Sequence, residues 1–151
     1  DLPGDRREHY VPRADWTPDG TRVMVQQFNR LQSELTVFRA DPATGAATPV
    51  FAETDAAWIE NDNPWRWLDD GKSFLWLSER SGWRHAYRAF VDGSPLEPIT
   101  KGEFDVTGVD GIDKANGRLY YTASPKNPTQ RYLFRVKLDG TGTEQLSPEK
   151  Q

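Results

Sequence analysis

The sequence predicts an all-β chain of antiparallel four-stranded blades, about three of them, forming an open fragment of a β-propeller. Two observations predict it. Twelve glycines and eleven prolines punctuate short runs of β-branched and aromatic residues, the pattern of strands joined by tight turns. One plan of turn, strand, loop, strand, turn and strand also recurs three times along the chain, and a fixed internal period marks a repeat architecture. No segment sustains apolar residues at i, i+3, i+4 and i+7 for three helical turns, so helix is at most minor.

The three copies begin "DWTPDGTRVMVQQF", "RWLDDGKSFLWLSE" and "GIDKANGRLYYTAS", at Asp15, Arg66 and Gly111. Each runs into a glycine turn, at Asp19-Gly20, Asp70-Gly71 and Asn116-Gly117. Such pairs tolerate positive φ at both central positions of a two-residue hairpin turn. A strand is expected after each turn, over 22–26, 73–77 and 118–122. After a polar loop comes a second, over 35–39, 85–89 and 132–137. Further turns at 41–45, Asp92-Gly93 and Asp139-Gly140 lead to last strands ending near Val50, Ile99 and Leu146. Gly20, Gly71 and Gly117 lie 51 and 46 residues apart, about the length of a four-stranded blade. Residues 1–151 are therefore read as one partial propeller domain, with blades at approximately 10–62, 63–110 and 111–148. An antiparallel sandwich of regular hairpins is the alternative.

Propellers close with roughly four to eight blades. An arc of three would expose an apolar blade face and unpaired strand edges, which invite association. The expectation is a piece of a larger ring, with self-association of the open fragment as the other outcome.

The formal charge of −4 and the pI near 5.2, with no cluster of Lys and Arg, argue against nucleic acid as a partner. No stretch approaches the roughly 20 apolar residues of a membrane span. Zero cysteines exclude disulfides, thiol nucleophiles and thiolate zinc sites. The opening "DLPGDRREHY" lacks the apolar core of a signal peptide, so any export signal is expected to have been removed or never to have been here.

The stretch "SERSGWRHAY" sets Ser78, Glu79 and His85 close together and raises the question of a catalytic apparatus. No G-x-S-x-G elbow occurs, although a serine nucleophile on a strained turn would need such small neighbours. His9 and His85 are the only histidines. His85 opens an expected strand, where its ring is expected to hydrogen-bond a neighbouring loop. Two histidines 76 residues apart are a thin basis for a metal site. Asp69-Asp70 and the pair Asp110 and Asp113 fit turn chemistry and lack calcium-loop spacing. No metal and no cofactor is expected. Nothing points to paired carboxylates for glycoside hydrolysis. Trp58, Trp65, Trp67, Trp76 and Trp83 could stack sugars, but are read as core, as is Trp16.

Three stretches resemble the propeller region of dipeptidyl peptidase IV-like serine peptidases, of the prolyl oligopeptidase superfamily, especially bacterial members. They are "YVPRADWTPDGTRVMVQQFNRLQSELTVF", "SFLWLSERSGWRHAYR" and "PITKGEFDVTGVDGID" followed by "LYYTASPKNPTQRYLFRVKLDG". They occur in the family's order and spacing, from about Tyr10 to Leu146.

The resemblance implies that "SERSGWRH" joins two strands of one blade and that Ser78 and His85 are not triad members. It places the catalytic Ser, Asp and His in an α/β-hydrolase domain beyond Gln151, the chain's exit near Ser147-Pro148, and the paired glutamates that hold a substrate's amino terminus upstream of Asp1. By itself the chain has no catalytic residue. The implied function is a non-catalytic propeller part of an exported, periplasmic or secreted dipeptidyl peptidase releasing Xaa-Pro or Xaa-Ala dipeptides. The propeller would gate and shape the substrate cavity, with the hydrolase domain as its partner in cis and peptides as substrates. The stretch "IENDNPW" corresponds to a family segment approaching the far end of that cavity, and makes Asn61 and Asp62 the substrate-binding candidates. It lacks the aromatic–arginine pair of some relatives. A free-standing propeller-like module binding a peptide or glycan is the alternative, and an aminopeptidase or oligopeptidase of a neighbouring branch a further one.

Overall fold

The computed structural model describes residues 2–68 and 71–148. Among the described residues twelve strands make three four-stranded antiparallel sheets, and there is no helix. The first sheet is β1 (His9–Trp16), β2 (Val23–Asn29), β3 (Glu34–Ala40) and β4 (Ala47–Thr54). The second is β5 (Arg66–Trp67), β6 (Ser73–Ser78), β7 (His85–Phe90) and β8 (Glu97–Pro98). The third is β9 (Val106–Asp113), β10 (Arg118–Ala123), β11 (Tyr132–Lys137) and β12 (Glu144–Gln145). Within each sheet the strands lie in sequence order, the up-and-down meander of a propeller blade. β9 starts at Val106, so the third sheet begins a few residues ahead of position 111.

The second sheet is the middle layer. All six residues of β6 are buried, because alternate side chains of a strand point to opposite faces. Phe74 and Trp76 pack with Met24, Phe28, Leu35 and Val37 of the first sheet. Leu75 and Leu77 pack with Leu119, Tyr121, Phe134 and Val136 of the third. A strand with two buried faces needs the near-continuous apolar run "SFLWLS". Phe51, Trp65, Trp67, Phe74 and Trp76 form one chain of ring contacts at the first junction, with centroids 5.0–6.3 Å apart.

β10 and β11 each bury one face only. The register Arg118↔Lys137, Tyr120↔Arg135 and Thr122↔Leu133 gives the third sheet's outer face a mostly polar surface. The broad apolar face expected of an open arc is therefore absent there. The first sheet does expose Val11 and Trp16. Trp16 is 52% exposed, against its expected core position. It pairs with Val23 at the end of β1, on the face of the first sheet opposite to that of Met24 and Phe28, which packs on the second sheet.

The glycine turns differ from the two-residue type. Among the described residues Gln32 is the sole non-glycine at positive φ, so Asp19 and Asn116 do not take the left-handed geometry that a type I′ turn requires. The first loop instead spans Thr17 to Arg22. It is closed by the Thr17 N–H on the Arg22 carbonyl at 2.9 Å and the Gly20 N–H on the Thr17 carbonyl at 2.8 Å. Asp19 is the hub: its carboxylate accepts the Thr17 hydroxyl at 2.6 Å and the Thr21 hydroxyl and N–H at 2.9 and 3.0 Å. Those bonds, Thr17's first, hold its pKa below the usual carboxylate value. Asp70 of the second turn lies outside the described residues.

The alternation of strand direction sorts the connections to two ends. Tight turns collect at one. The loops after β2, β6 and β10, and the crossings from β4 to β5 and from β8 to β9, collect at the other.

Candidate functional site

A cavity of about 400 Å³ opens at the long-loop end of the junction between the first two sheets. Its walls are the end of β4, the crossing that carries Trp58 to Asn63, and the end of β6 with its loop. The crossing is held to the first sheet by reciprocal bonds: the Ile59 N–H donates to the Gln32 carbonyl at 2.7 Å, and Gln32 Nε2 to the Ile59 carbonyl at 3.0 Å. Gln32 is the residue at φ +59°, so a left-handed turn aims this contact.

Asn63 fastens the crossing to the second sheet. Its amide donates to the Leu77 carbonyl at 2.9 Å and accepts the Leu77 N–H at 2.7 Å, as one more strand residue would. The Asn63 carbonyl accepts Gln26 Nε2 at 2.7 Å. Two buried polar residues, Gln26 and Asn63, thus link the two sheets through hydrogen bonds, as burial of polar groups requires.

Glu53 forms the floor. Its side chain is only 9% exposed, and one carboxylate oxygen receives the Ser78 hydroxyl at 2.5 Å and Arg80 Nη2 at 2.6 Å. The Arg80 guanidinium also contacts Ser78 Oγ at 3.2 Å and lies over the Tyr87 ring at 5.4 Å. A largely buried carboxylate persists when it is paired and hydrogen-bonded in this way.

The register sets Ser78 opposite His85, yet the two form no nucleophile–base pair. His85 Nε2–H donates to the Gly102 carbonyl at 2.9 Å, and Nδ1 lies 3.0 Å from Thr100 Oγ1. Thr100 Oγ1 already accepts the Ala86 N–H at 2.9 Å, so its proton is free for Nδ1. The ring stacks edge-on to Phe104. His85 therefore ties β7 to the crossing between the second and third sheets, as expected from its place at a strand start. Glu79 is exposed on the loop.

Neither Asn61 nor Asp62 is among the residues lining this cavity, although their chain neighbours Glu60 and Asn63 are. The Asn61 carbonyl accepts Arg13 Nη2 at 3.4 Å, while Asn61 Oδ1 and Arg13 Nε are buried without partners. Asp62 is exposed and pairs with Arg84 at 3.1 Å. Sequence reasoning passed over Glu53 and Arg80, which lie 27 positions apart and share no local pattern. It also placed Trp58 and Trp83 in the core, whereas they are 57% and 41% exposed. Both sit on long-loop segments with no strand alternation to turn them inward. Among the described residues no three His, Asp or Glu side chains are grouped to hold a metal, and no helix is long and apolar enough to cross a membrane.

The model of the dipeptidyl peptidase IV N-terminal region matches residues 1–151. A probable dipeptidyl peptidase 4 of Aspergillus flavus is 31% identical over 135 residues, covering 83% of this chain and 17% of its own length. The crystal structure of Porphyromonas gingivalis dipeptidyl peptidase 4 superposes with a TM-score of 0.85 at 26% identity, covering 97% of this chain and 21% of that one. A putative dipeptidyl aminopeptidase IV from Bacteroides ovatus shares the fold, with a TM-score of 0.80 at 20% identity. The chain thus spans about a fifth of the length of the relatives it matches.

Proposed function

From the premise that the chain belongs to the dipeptidyl peptidase IV N-terminal region family, we propose that it serves as the non-catalytic propeller part of an exported serine peptidase. That peptidase removes Xaa-Pro or Xaa-Ala dipeptides through an acyl-enzyme. The long-loop end faces the substrate cavity, which these blades gate and shape, and the hydrolase domain is the partner in cis. Asn61 and Asp62 stand beside that cavity's far end. The enzyme works in the periplasm or outside the cell.

The observation that carries this reading is the state of Ser78 and His85. Both are committed to holding strands and loops together, so the family's chemistry has to come from elsewhere in the parent protein. The long-loop end, with its cavity and its exposed Trp58 and Trp83, is the surface available for a peptide.

The test is on the full gene product recovered from source cells with an antibody to this chain. A species several times larger than 17.2 kDa that takes a serine-directed fluorophosphonate label and cleaves a Gly-Pro anilide supports the reading. An unlabelled species of about this mass would make the chain a free-standing module that binds a peptide or glycan. The 151-residue chain by itself should release no chromophore, because this reading assigns the nucleophile and the oxyanion hole to the hydrolase domain.

A further inference from the structure

We propose that the cavity beneath Trp58 is a subsite for a cationic side chain, the ammonium of lysine or the guanidinium of arginine. The inference rests on reading the long-loop end as the face that meets peptide.

Three features of the cavity lead to it. The first is size: about 400 Å³ is room for one long side chain, within the range of small-ligand sites. The second is the charge left over once the two arginines of the lining have made their pairs. Arg80 is committed to Glu53 and Arg84 to Asp62. Asp55, Glu60 and Glu79 also line the cavity, and among the described residues no lysine or arginine bridges any of them. One Asp55 oxygen takes the Ala57 N–H at 2.7 Å, which fixes the carboxylate in place.

The third feature is Trp58. An indole more than half exposed in the lining of a polar cavity is a poor core residue and a good platform. A cation over an indole face is attracted by the ring quadrupole, and the methylene stem of lysine or arginine covers apolar surface at the same time. The Glu53–Ser78–Arg80 lock beneath keeps the floor rigid, so the site is formed before the ligand arrives.

Such a side chain could come from a bound peptide or from another part of the parent protein. The shared chemistry is one positive charge on a flexible apolar stem, and it can be tested with N-acetylated, C-amidated Gly-Lys-Gly and its norleucine counterpart. Blocking both ends removes any contribution from a free amino terminus. The readout is the indole N–H signal of Trp58 in a two-dimensional NMR titration of the 151-residue chain, assigned with Trp58→Phe.

The lysine peptide should shift that signal saturably, binding roughly tenfold tighter than the norleucine peptide and weakening as salt is raised. The double variant Glu60→Gln/Glu79→Gln should lose most of the preference and leave the norleucine affinity unchanged. Asp55→Asn serves the same end if that variant does not fold. Equal binding of both peptides, no response of Trp58 up to about 10 mM, or an unchanged preference in the variants would overturn the proposal. Repeating the titration on the full gene product separates the two sources. A peptide ligand binds both proteins, whereas a side chain supplied in cis leaves only the 151-residue chain open. Dipeptide release by the full gene product is measured separately, so its loss would count against the peptidase reading and not against the cation site.

Discussion

Gln26 donates its side-chain N–H to the Asn63 carbonyl at 2.7 Å, and Asn63 grips both backbone groups of Leu77. Three residues from three separate segments thereby weld the first blade to the second. Asn63→Ala would strip the Leu77 N–H and C=O of their partners inside a buried junction. Each buried group left unsatisfied costs about 1–3 kcal/mol. The variant should therefore unfold at a clearly lower urea midpoint with an unchanged slope. A midpoint equal to the parent's would mean that water takes the place of Asn63 and that the junction is open.

The two tryptophans Trp76 and Trp16 should separate sharply. Trp76 is 1% exposed between two sheets, and its truncation to alanine should cost about 3–5 kcal/mol. Trp16, half exposed at the end of β1, should lose no more than about 0.5 kcal/mol. Equal losses in chemical denaturation would place the outer face of the first sheet in a buried interface.

How far the sequence reveals the structure depends on the range of the interaction. The strand plan is written in local chemistry: "SFLWLS" carries the burial of both its faces in a near-continuous apolar run, "RLYYTA" carries the burial of one face in its alternation, and the glycine turns mark their ends. The buried links between blades are not local. Glu53 reaches Ser78 and Arg80 across 25 and 27 positions, and Gln26 reaches Asn63 across 37. No pattern in either segment announces such partners. Four of the six tryptophans divide along the same line. Trp67 and Trp76 lie on strands and pack, whereas Trp58 and Trp83 lie on crossings and loops, where hydrophobicity alone does not fix direction. Asn61 and Asp62 came from a resemblance in sequence, and the cavity is lined instead by their neighbours Glu60 and Asn63, over a Glu53 floor that the resemblance did not mark.

Ser78 offers a test of function in the full gene product. Removing a member of a catalytic triad costs several powers of ten in turnover. Ser78→Ala removes one hydrogen bond to Glu53, which keeps Arg80, and should leave cleavage of a Gly-Pro anilide within about twofold. Loss of three or more orders of magnitude, with the protein still folded, would return Ser78 to the catalytic candidates.

Tyr121 sets an alkaline limit. Its phenol is packed in the core between the second and third sheets, and burial pushes its pKa up from 10.0 to about 12. The folded chain therefore holds the phenolic proton more tightly than the unfolded chain does. Stability should be intact below pH 10 and fall between pH 10 and about 12, as the unfolded state gains by ionising first. Tyr121→Phe should flatten that part of the stability–pH curve. The same slope in both proteins would assign the alkaline loss to other groups.

Gly140 and Gly20 both hold left-handed backbone, at φ +81° and +69°, but differ in what surrounds them. A Cβ at Gly20 would meet nothing within 4 Å, whereas one at Gly140 would sit 2.9 Å from the Pro98 carbonyl oxygen of the neighbouring blade. Gly20→Ala should cost only the left-handed penalty, about 1–2 kcal/mol. Gly140→Ala adds a clash with backbone that cannot step aside, so its loss should be larger by about 1–3 kcal/mol. The extra loss should fall on the contact between the second and third blades, because the turn of β11 and β12 rests on the end of β8. Hydrogen exchange would locate it: faster exchange at the Ile99 amide and along β11 in Gly140→Ala, with the first blade unchanged. Equal destabilisation by the two substitutions would mean that the third blade can move away from the second at little cost.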